Sequence, residues 1–381
     1  MPTAILPQPT LHVLVIAGTR PEVIKLAPVL NAFARTDGVW AELCAAGQHK
    51  ELLEQAFEDF ALIPDYRLDI MQPGQSLAGL SGRLFHAFDA LLDNVQPDWV
   101  VVQGDTTTTM TAALCAFYRR IRVAHVEAGL RSHNLAAPFP EELNRRVAGM
   151  VADLHFAPTP AAKTNLLQEG TPSDRIVVTG NTVIDALQWI EKSFDTQEAL
   201  PELIQESIQS GKRIVLVTGH RRENFGEGFK AICTAIRALV DKHADTMFAY
   251  VVHLNPEVRE PVEKFLAGHE RILLLDPLPY KAFIALMKAC TLILTDSGGV
   301  QEEAPAFGKP VLLMRKCTER PEGIEAGTTK LVGVEAEKIE KEVSRLLDSP
   351  QAFSEMTGIA NPFGDGQASG RIVRAVMAYI R

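Results

Sequence analysis

Residues 194–211 are polar and contain several Gln and Ser, and directly after them the chain runs Arg213-Ile214-Val215-Leu216-Val217-Thr218. A short apolar run rich in branched side chains is what a strand buried on both faces of a parallel sheet looks like. Working back from it, Leu11–Ala17, Trp99–Val102, Arg122–Val126 and Arg175–Val178 read the same way, separated by segments of helical period. Working forward, Phe248–Val252, Arg271–Leu275, Thr291–Thr295 and Pro310–Met314 repeat the pattern. The alternation predicts doubly wound α/β structure, and its fresh start at Arg213 predicts two Rossmann-like domains in tandem, residues 1–185 and 186–365, with a cleft between them. The 381 residues suit two domains. The helical segment after Gly366, running through Ile380, fits on either one by pattern alone.

Composition narrows the class. With 46% apolar and 22% charged residues the chain is an ordinary globular protein, and its net charge of −9 is spread without a long block, which argues against a nucleic-acid surface. Cys44, Cys115, Cys233, Cys290 and Cys317 lie far apart with no ligand spacing, so they read as reduced core thiols of a cytoplasmic protein with no metal site. Residues 1–10 hold Pro2, Pro7 and Pro9 and no basic region, unlike a signal peptide, and no apolar run approaches the roughly 18 residues of a membrane helix.

Ligands of open α/β sheets bind beyond the carboxyl ends of the strands, so the polar residues found there are the candidates. Arg20 and Lys25 follow the first strand, with Pro21 suited to the first helical turn; Gly104-Asp105-Thr106 follows the Trp99 strand, Glu127 the Arg122 strand, and His220-Arg221-Arg222-Glu223 the Arg213 strand. Ser297-Gly298-Gly299 entering a helix favours an anion, and Glu303 one turn on suits ribose hydroxyls. Each has a plainer reading. Asp105 reads as the N-cap of Thr106-Thr-Thr-Thr109, Glu141 and Glu142 as first-turn helix acids, His220 as a satisfied strand-end histidine, and Ser297–Gly299 as a tight turn. Glu127 is harder to explain away, because a carboxylate ending an apolar strand is costly to bury unless paired or used. Gly226-Glu-Gly-Phe-Lys-Ala231 matches a loose dinucleotide fingerprint but stands too far from its strand, and reads as a helix entry.

With these residues in view, the sequence resembles the non-hydrolysing UDP-N-acetylglucosamine 2-epimerases from end to end. The likeness rests on Gly18-Thr-Arg-Pro-Glu-Val-Ile-Lys25, Gly104-Asp-Thr-Thr-Thr-Thr109, His125-Val-Glu-Ala-Gly-Leu-Arg131, Pro140-Glu-Glu-Leu-Asn-Arg145 and Thr179-Gly-Asn-Thr-Val-Ile-Asp185 in the first half. In the second half it rests on Gly219-His-Arg-Arg-Glu-Asn224, His253-Leu-Asn-Pro256, Thr295-Asp-Ser-Gly-Gly-Val-Gln-Glu-Glu-Ala-Pro305 and Thr318-Glu-Arg-Pro-Glu322.

The resemblance implies the glycosyltransferase-B architecture, two Rossmann-like domains facing a cleft, with residues 366–381 returning to the first. It implies that Asp105, Glu127, Glu141, His220 and Lys25 serve catalysis, and that Arg20, Ser297, Gly298 and Gly299 hold the diphosphate. Glu303 then holds the ribose, Arg320 lies near the nucleotide, and Arg145 and His253 near the sugar. It further implies a UDP-N-acetylglucosamine activator beside Gln48, His49 and Gln72, a homodimer, and elimination and re-addition of UDP without a cofactor. The loop Arg131-Ser-His-Asn-Leu-Ala-Ala-Pro-Phe139 departs from the Gly- and Asp-containing loop common in the family and leaves His133 without a role. Three rival readings are the same chemistry on a UDP-diacetamido-uronic acid, a glycosyltransferase of the same fold, and a non-catalytic nucleotide-sugar sensor. The Ala137-Pro-Phe-Pro-Glu-Glu142 stretch resembles the N-acetylglucosamine enzymes and favours them over the first rival, and the concentration of acids in the first half favours an epimerase over the other two.

Overall fold

The structure is a computed structural model that describes residues 11–47, 50–72 and 74–379. The chain divides into two compact units, one ending at Trp189 and resuming at Gly364, the other spanning Ile190–Phe363. The first unit contains β1 (Leu11–Ala17), β2 (Val39–Ala45), β3 (Tyr66–Arg67), β4 (Trp99–Gln103), β5 (Arg122–Val126), β6 (Leu154–Ala157) and β7 (Ile176–Val178). They form one parallel sheet in the order β3-β2-β1-β4-β5-β6-β7. Helices cover both faces, so Trp99–Val102 are buried to the last residue. Each such side chain contributes roughly 1.5–3 kcal/mol by leaving water.

The second unit repeats the plan with β8 (Arg213–Gly219), β9 (Thr246–Val252), β10 (Ile272–Leu275), β11 (Leu292–Thr295), β12 (Val311–Leu313) and β13 (Thr329–Leu331), in the parallel order β10-β9-β8-β11-β12-β13. In each sheet the chain winds one way from its first strand and the other way from its fourth. The two winding directions part between β1 and β4 and between β8 and β11, and ligand crevices open at such switch points. The residues just beyond those four strands are Gly18–Arg20, Gly104–Thr106, His220–Arg221 and Asp296–Ser297.

Close approach at the first switch point requires glycine. A Cβ on Gly18 would sit 2.5 Å from Thr108 Oγ1, so the helix Thr107–Tyr118 can reach the turn after β1 only because no side chain is there.

Several expectations need correction. Part of the polar stretch 194–211 is helical, because Glu202–Gln209 buries Ile204 and Ser207 and belongs to the second unit. Asp105 is not a helix N-cap; that position belongs to Thr106, whose hydroxyl accepts from Thr109 N–H at 3.1 Å. Four cysteines are buried, but Cys317 is exposed. β2, β3, β6 and β13 lie outside the apolar runs picked out by pattern, the last of these reading Thr-Lys-Leu.

The last helix, Ala368–Tyr379, packs in the first unit. Asp185 caps it, accepting from the N–H groups of Ala368 at 3.2 Å and Ser369 at 2.8 Å, while Arg371 donates to Thr179 O at 2.9 Å. Among the described residues no helix is long and apolar enough to cross a membrane.

Candidate active site

The first unit gathers its polar strand ends into one network. Glu127 follows β5 with φ +62°, a backbone region that L-residues seldom occupy. Its carboxylate accepts from Lys25 Nζ at 2.5 Å and from Asn181 Nδ2 at 2.9 Å. Lys25 stands on the helix after β1 and Asn181 in the loop after β7, so three strand ends meet at one carboxylate.

Asp105 is held from several sides. Its carboxylate pairs with Arg145 from the helix Glu141–Val151, and its carbonyl accepts from Asn144 Nδ2 at 3.0 Å. The preceding Gly104 donates its N–H to Val126 O at 3.0 Å and accepts from His125 Nε2 at 2.8 Å. Burial pushes the Asp105 carboxyl above its usual range, outweighing Arg145, and the nearby Glu127 charge adds to the rise. Lys25 pulls the other way. His125 is driven down to about 4 by burial, so it is neutral at physiological pH and its Nε2 can carry the hydrogen that Gly104 O accepts.

Glu142, fully buried, organises the loop that precedes its helix. It accepts from the N–H groups of Ser132 at 3.0 Å and His133 at 3.2 Å and pairs with Arg145 and Arg146. Burial would raise this carboxyl, but the Ser132 N–H and the Arg145 charge prevail and hold it below its usual range. His133 thus contributes its backbone, at φ +59°, while its side chain stays exposed. Glu141, half-buried at the helix start, has no ion-pair partner among the described residues. Arg20 likewise has none.

The second unit centres on Asp296, which is wholly buried. It accepts from His220 N–H at 3.0 Å, Arg221 N–H at 2.9 Å and Asn224 Nδ2 at 3.0 Å, tying the turn after β8 to the turn after β11. His220 Nδ1 lies 3.4 Å from the same carboxylate, and its ring stacks on His253 with centroids 5.8 Å apart. Burial lowers the His220 pKa against the pull of Asp296, and the Arg221 charge adds to the lowering.

The Ser297-Gly298-Gly299 turn opens a helix, Gly298–Glu303, whose first N–H groups have no carbonyl behind them. Gly299 is exposed with open space where a side chain would be, whereas a Cβ on Gly298 would meet Arg320 Nη1 at 2.6 Å. Arg320 is held there by Glu302 and Glu319, at 2.5 and 2.7 Å. Burial alone would raise Glu319, but Arg320 and Arg315 bring it down to about 2. Glu303, almost buried, accepts from the Tyr280 hydroxyl at 3.1 Å.

A family model described as UDP-N-acetylglucosamine 2-epimerase matches residues 31–377. The chain belongs to this family. It is 47% identical to the UDP-N-acetylglucosamine 2-epimerase of Escherichia coli strain K12 over 96% of its own length and 98% of that protein's. A crystal structure of the Neisseria meningitidis UDP-GlcNAc 2-epimerase bound to UDP-GlcNAc is similar at a TM-score of 0.89 and 43% identity, covering 96% of this chain and 100% of that one. The Methanocaldococcus jannaschii UDP-GlcNAc 2-epimerase in complex with UDP-GlcNAc and UDP is similar at 0.78 and 35%, covering 97% and 99%. As in the other UDP-N-acetylglucosamine 2-epimerases, the tandem of Rossmann-like domains is of the glycosyltransferase-B type.

The structure brings Lys25, Asp105, Glu127 and Arg145 into the first unit's network, and His220 and His253 together in the second. Gln72 is exposed, its N–H donating to Gln75 Oε1 at 3.1 Å, while Gln48 and His49 lie outside the described residues. Sequence reasoning assigned no role to Glu22, His125, Asn144, Asn181, Asp185 or Asp296, although each falls within a stretch that carried the family resemblance. The signal present was an acid or amide beside a strand end.

Proposed function

We propose that this chain interconverts UDP-N-acetylglucosamine and UDP-N-acetylmannosamine, the first unit moving protons and the second holding the nucleotide. The observation that carries the reading is the pairing of Asp105 with Arg145 and of Glu127 with Lys25 at adjoining strand ends, in a chain of this family. The proton on carbon 2 of the sugar has no neighbouring carbonyl to acidify it. In the proposed route one carboxylate takes that proton as the bond from carbon 1 to the diphosphate oxygen breaks, leaving a 2-acetamidoglucal and UDP. UDP then adds back to carbon 1 while an acid delivers a proton to the opposite face of carbon 2. Nothing is oxidised, so the cycle balances without a nicotinamide.

Asp105, Glu127 and Glu141 supply acid and base in this reading. The environments of the first two already differ, since Glu127 faces an ammonium and Asp105 a guanidinium. Lys25 and His220 support the departing charge, Arg20, Ser297 and the N–H groups of Gly298 and Gly299 receive the diphosphate while the Ser297 N–H stays with Thr295 Oγ1, Glu303 receives the ribose, and Arg320 borders the nucleotide. Arg145 and His253 border the sugar.

The test is incubation with UDP-N-acetylglucosamine in deuterium oxide, without added NAD or metal, followed by NMR at carbon 2. Deuterium entry together with the manno epimer is the expected result. Neither exchange nor epimer overturns the reading, and free N-acetylmannosamine with UDP would mark a hydrolase instead.

The same reading extends to activation by a second UDP-N-acetylglucosamine at Gln48, His49 and Gln72. Gly47 and Met71, which adjoin these residues in the chain, line a cavity of about 230 Å³ together with Glu54, Arg67 and Asp69, and Arg67 pairs with Glu54. Progress curves started from UDP-N-acetylmannosamine should lose their lag when a trace of the gluco epimer is added. Identical curves with and without the trace would remove the activator site.

A further inference from the structure

Glu22 has no role in the reading above, yet it joins two of the turns that the reading needs. It is the third residue of the helix Arg20–Ala34 and only 2% exposed. No Lys, Arg or His among the described residues pairs with it. Its Oε2 accepts from Gly18 N–H at 2.9 Å, and its Oε1 lies 2.6 Å from Thr106 Oγ1 and 2.9 Å from Thr109 Oγ1.

Hydrogen counting favours the neutral acid. Thr109 Oγ1 also lies 2.7 Å from Gln103 O, an atom that can only accept and the shorter of its two contacts, so the single Thr109 hydroxyl hydrogen is best placed there. The contact between Thr109 Oγ1 and Glu22 Oε1 then needs a hydrogen from Glu22 itself. A buried carboxylate without a cation is costly even with the Thr19 side chain as a further hydrogen-bond partner, whereas a carboxylic acid in the same place accounts for the contacts with Gly18, Thr106 and Thr109. Burial acts in the same direction, raising the Glu22 pKa above its usual range near 4.5.

We propose that Glu22 is a positioning residue for the epimerisation, a neutral carboxylic acid that splices the turn carrying Arg20 and Lys25 to the turn carrying Asp105. Thr106, which it grips, is the residue next to Asp105, and Gly18, which it also grips, opens the turn that leads to Arg20. Being uncharged, it holds both turns without placing a further negative charge beside Asp105 and Glu127. The proposal rests on the epimerase reading.

The experiment compares the full chain with Glu22→Gln and Glu22→Leu, by epimerisation kinetics and by urea unfolding from pH 5 to 8.5. Leucine fills the space but removes every polar contact, and kcat should fall about 100-fold with KM changed less than about threefold. Glutamine keeps an acceptor for Gly18 N–H and a donor toward Thr109 Oγ1, and the Thr106 hydroxyl can rotate to accept from the same NH2 group, so it should restore kcat to within about threefold of the natural chain.

The unfolding data carry a sign. A carboxyl whose pKa is raised on folding contributes most below its unfolded value, and that contribution is lost as pH rises through the folded value. Glu22→Gln should therefore unfold at higher urea than the natural chain at pH 8, with the gap closing toward pH 5. A glutamine variant as slow as the leucine one, or less stable than the natural chain at pH 8, would mean that an ionised carboxylate is required and would overturn the proposal. If the leucine variant does not fold, the glutamine comparison decides alone. Absence of epimerisation in the natural chain overturns the activity reading and the positioning role with it. Activity in the natural chain with an inactive glutamine variant overturns the role of Glu22 alone.

Discussion

Replacing Glu127 with Gln is expected to lower kcat about a thousandfold and to leave the affinity for UDP within about threefold, because in the proposed reading a proton-transfer group is lost from one unit while the nucleotide is held by the other. The amide keeps the shape of the side chain but cannot take a proton, and it leaves the Lys25 ammonium facing a dipole in place of a charge at 2.5 Å. Glu127→Gln therefore disturbs both a member of the proposed acid and base set and the cation proposed to face the departing diphosphate. Asp105→Asn acts in the same direction, because it breaks the pair with Arg145. Glu141→Gln tests a different point, since Glu141 has no ion-pair partner among the described residues and its removal disturbs no structural pair. Stopped assays with UDP-N-acetylglucosamine and calorimetric titration with UDP provide the measurements. Near-normal turnover in any of the three variants would remove that residue from the acid and base set.

Asp296→Ala is expected to destabilise the second unit by on the order of 3 kcal/mol, because it strips the acceptor from several buried donors at once. The N–H groups of His220 and Arg221 and the Asn224 side chain all point at this carboxylate, and a water entering the space left by truncation would offer them one neutral acceptor in place of two charged oxygens. The effect extends beyond stability. Asp296 ties the turn after β8 to the turn after β11, so its loss also frees His220 and the Ser297–Gly299 turn, and UDP affinity should fall about tenfold or more. Urea unfolding and UDP titration read the two effects. An unchanged urea midpoint would show that the network does not hold the turns together.

The contrast between Glu127 and Asp296 shows how much of the site was legible. Glu127 could be picked out because a carboxylate ending the run Val123-Ala-His-Val126 conflicts with its apolar neighbours. Asp296 ends a similar run, but the Ser-Gly-Gly turn that follows offered an explanation at the level of the turn, and the acid itself drew no separate reading. Asp105 misled in the opposite way. An acid before four threonines looks like a cap, and only the geometry shows that Thr106 has that task and leaves Asp105 for Arg145. Glu22 carries the spacing of a capping acid after Thr19, a surface role by default, and nothing local reveals that it is buried between two turns.

What the sequence determined by itself is the class of fold and its duplication. Apolar runs alternating with helical segments, interrupted once and begun again at Arg213, are local patterns, and their periods follow from backbone geometry alone. What only the tertiary structure decided is which strand ends become neighbours. Sheet order sets β4 beside β1 and β11 beside β8, and the decisive contacts then span large sequence separations: 102 positions from Lys25 to Glu127, 84 from Glu22 to Thr106, and 76 from His220 to Asp296. No local pattern encodes such pairings, because a carboxylate written next to its own neighbours reads the same whether water or a distant N–H completes it.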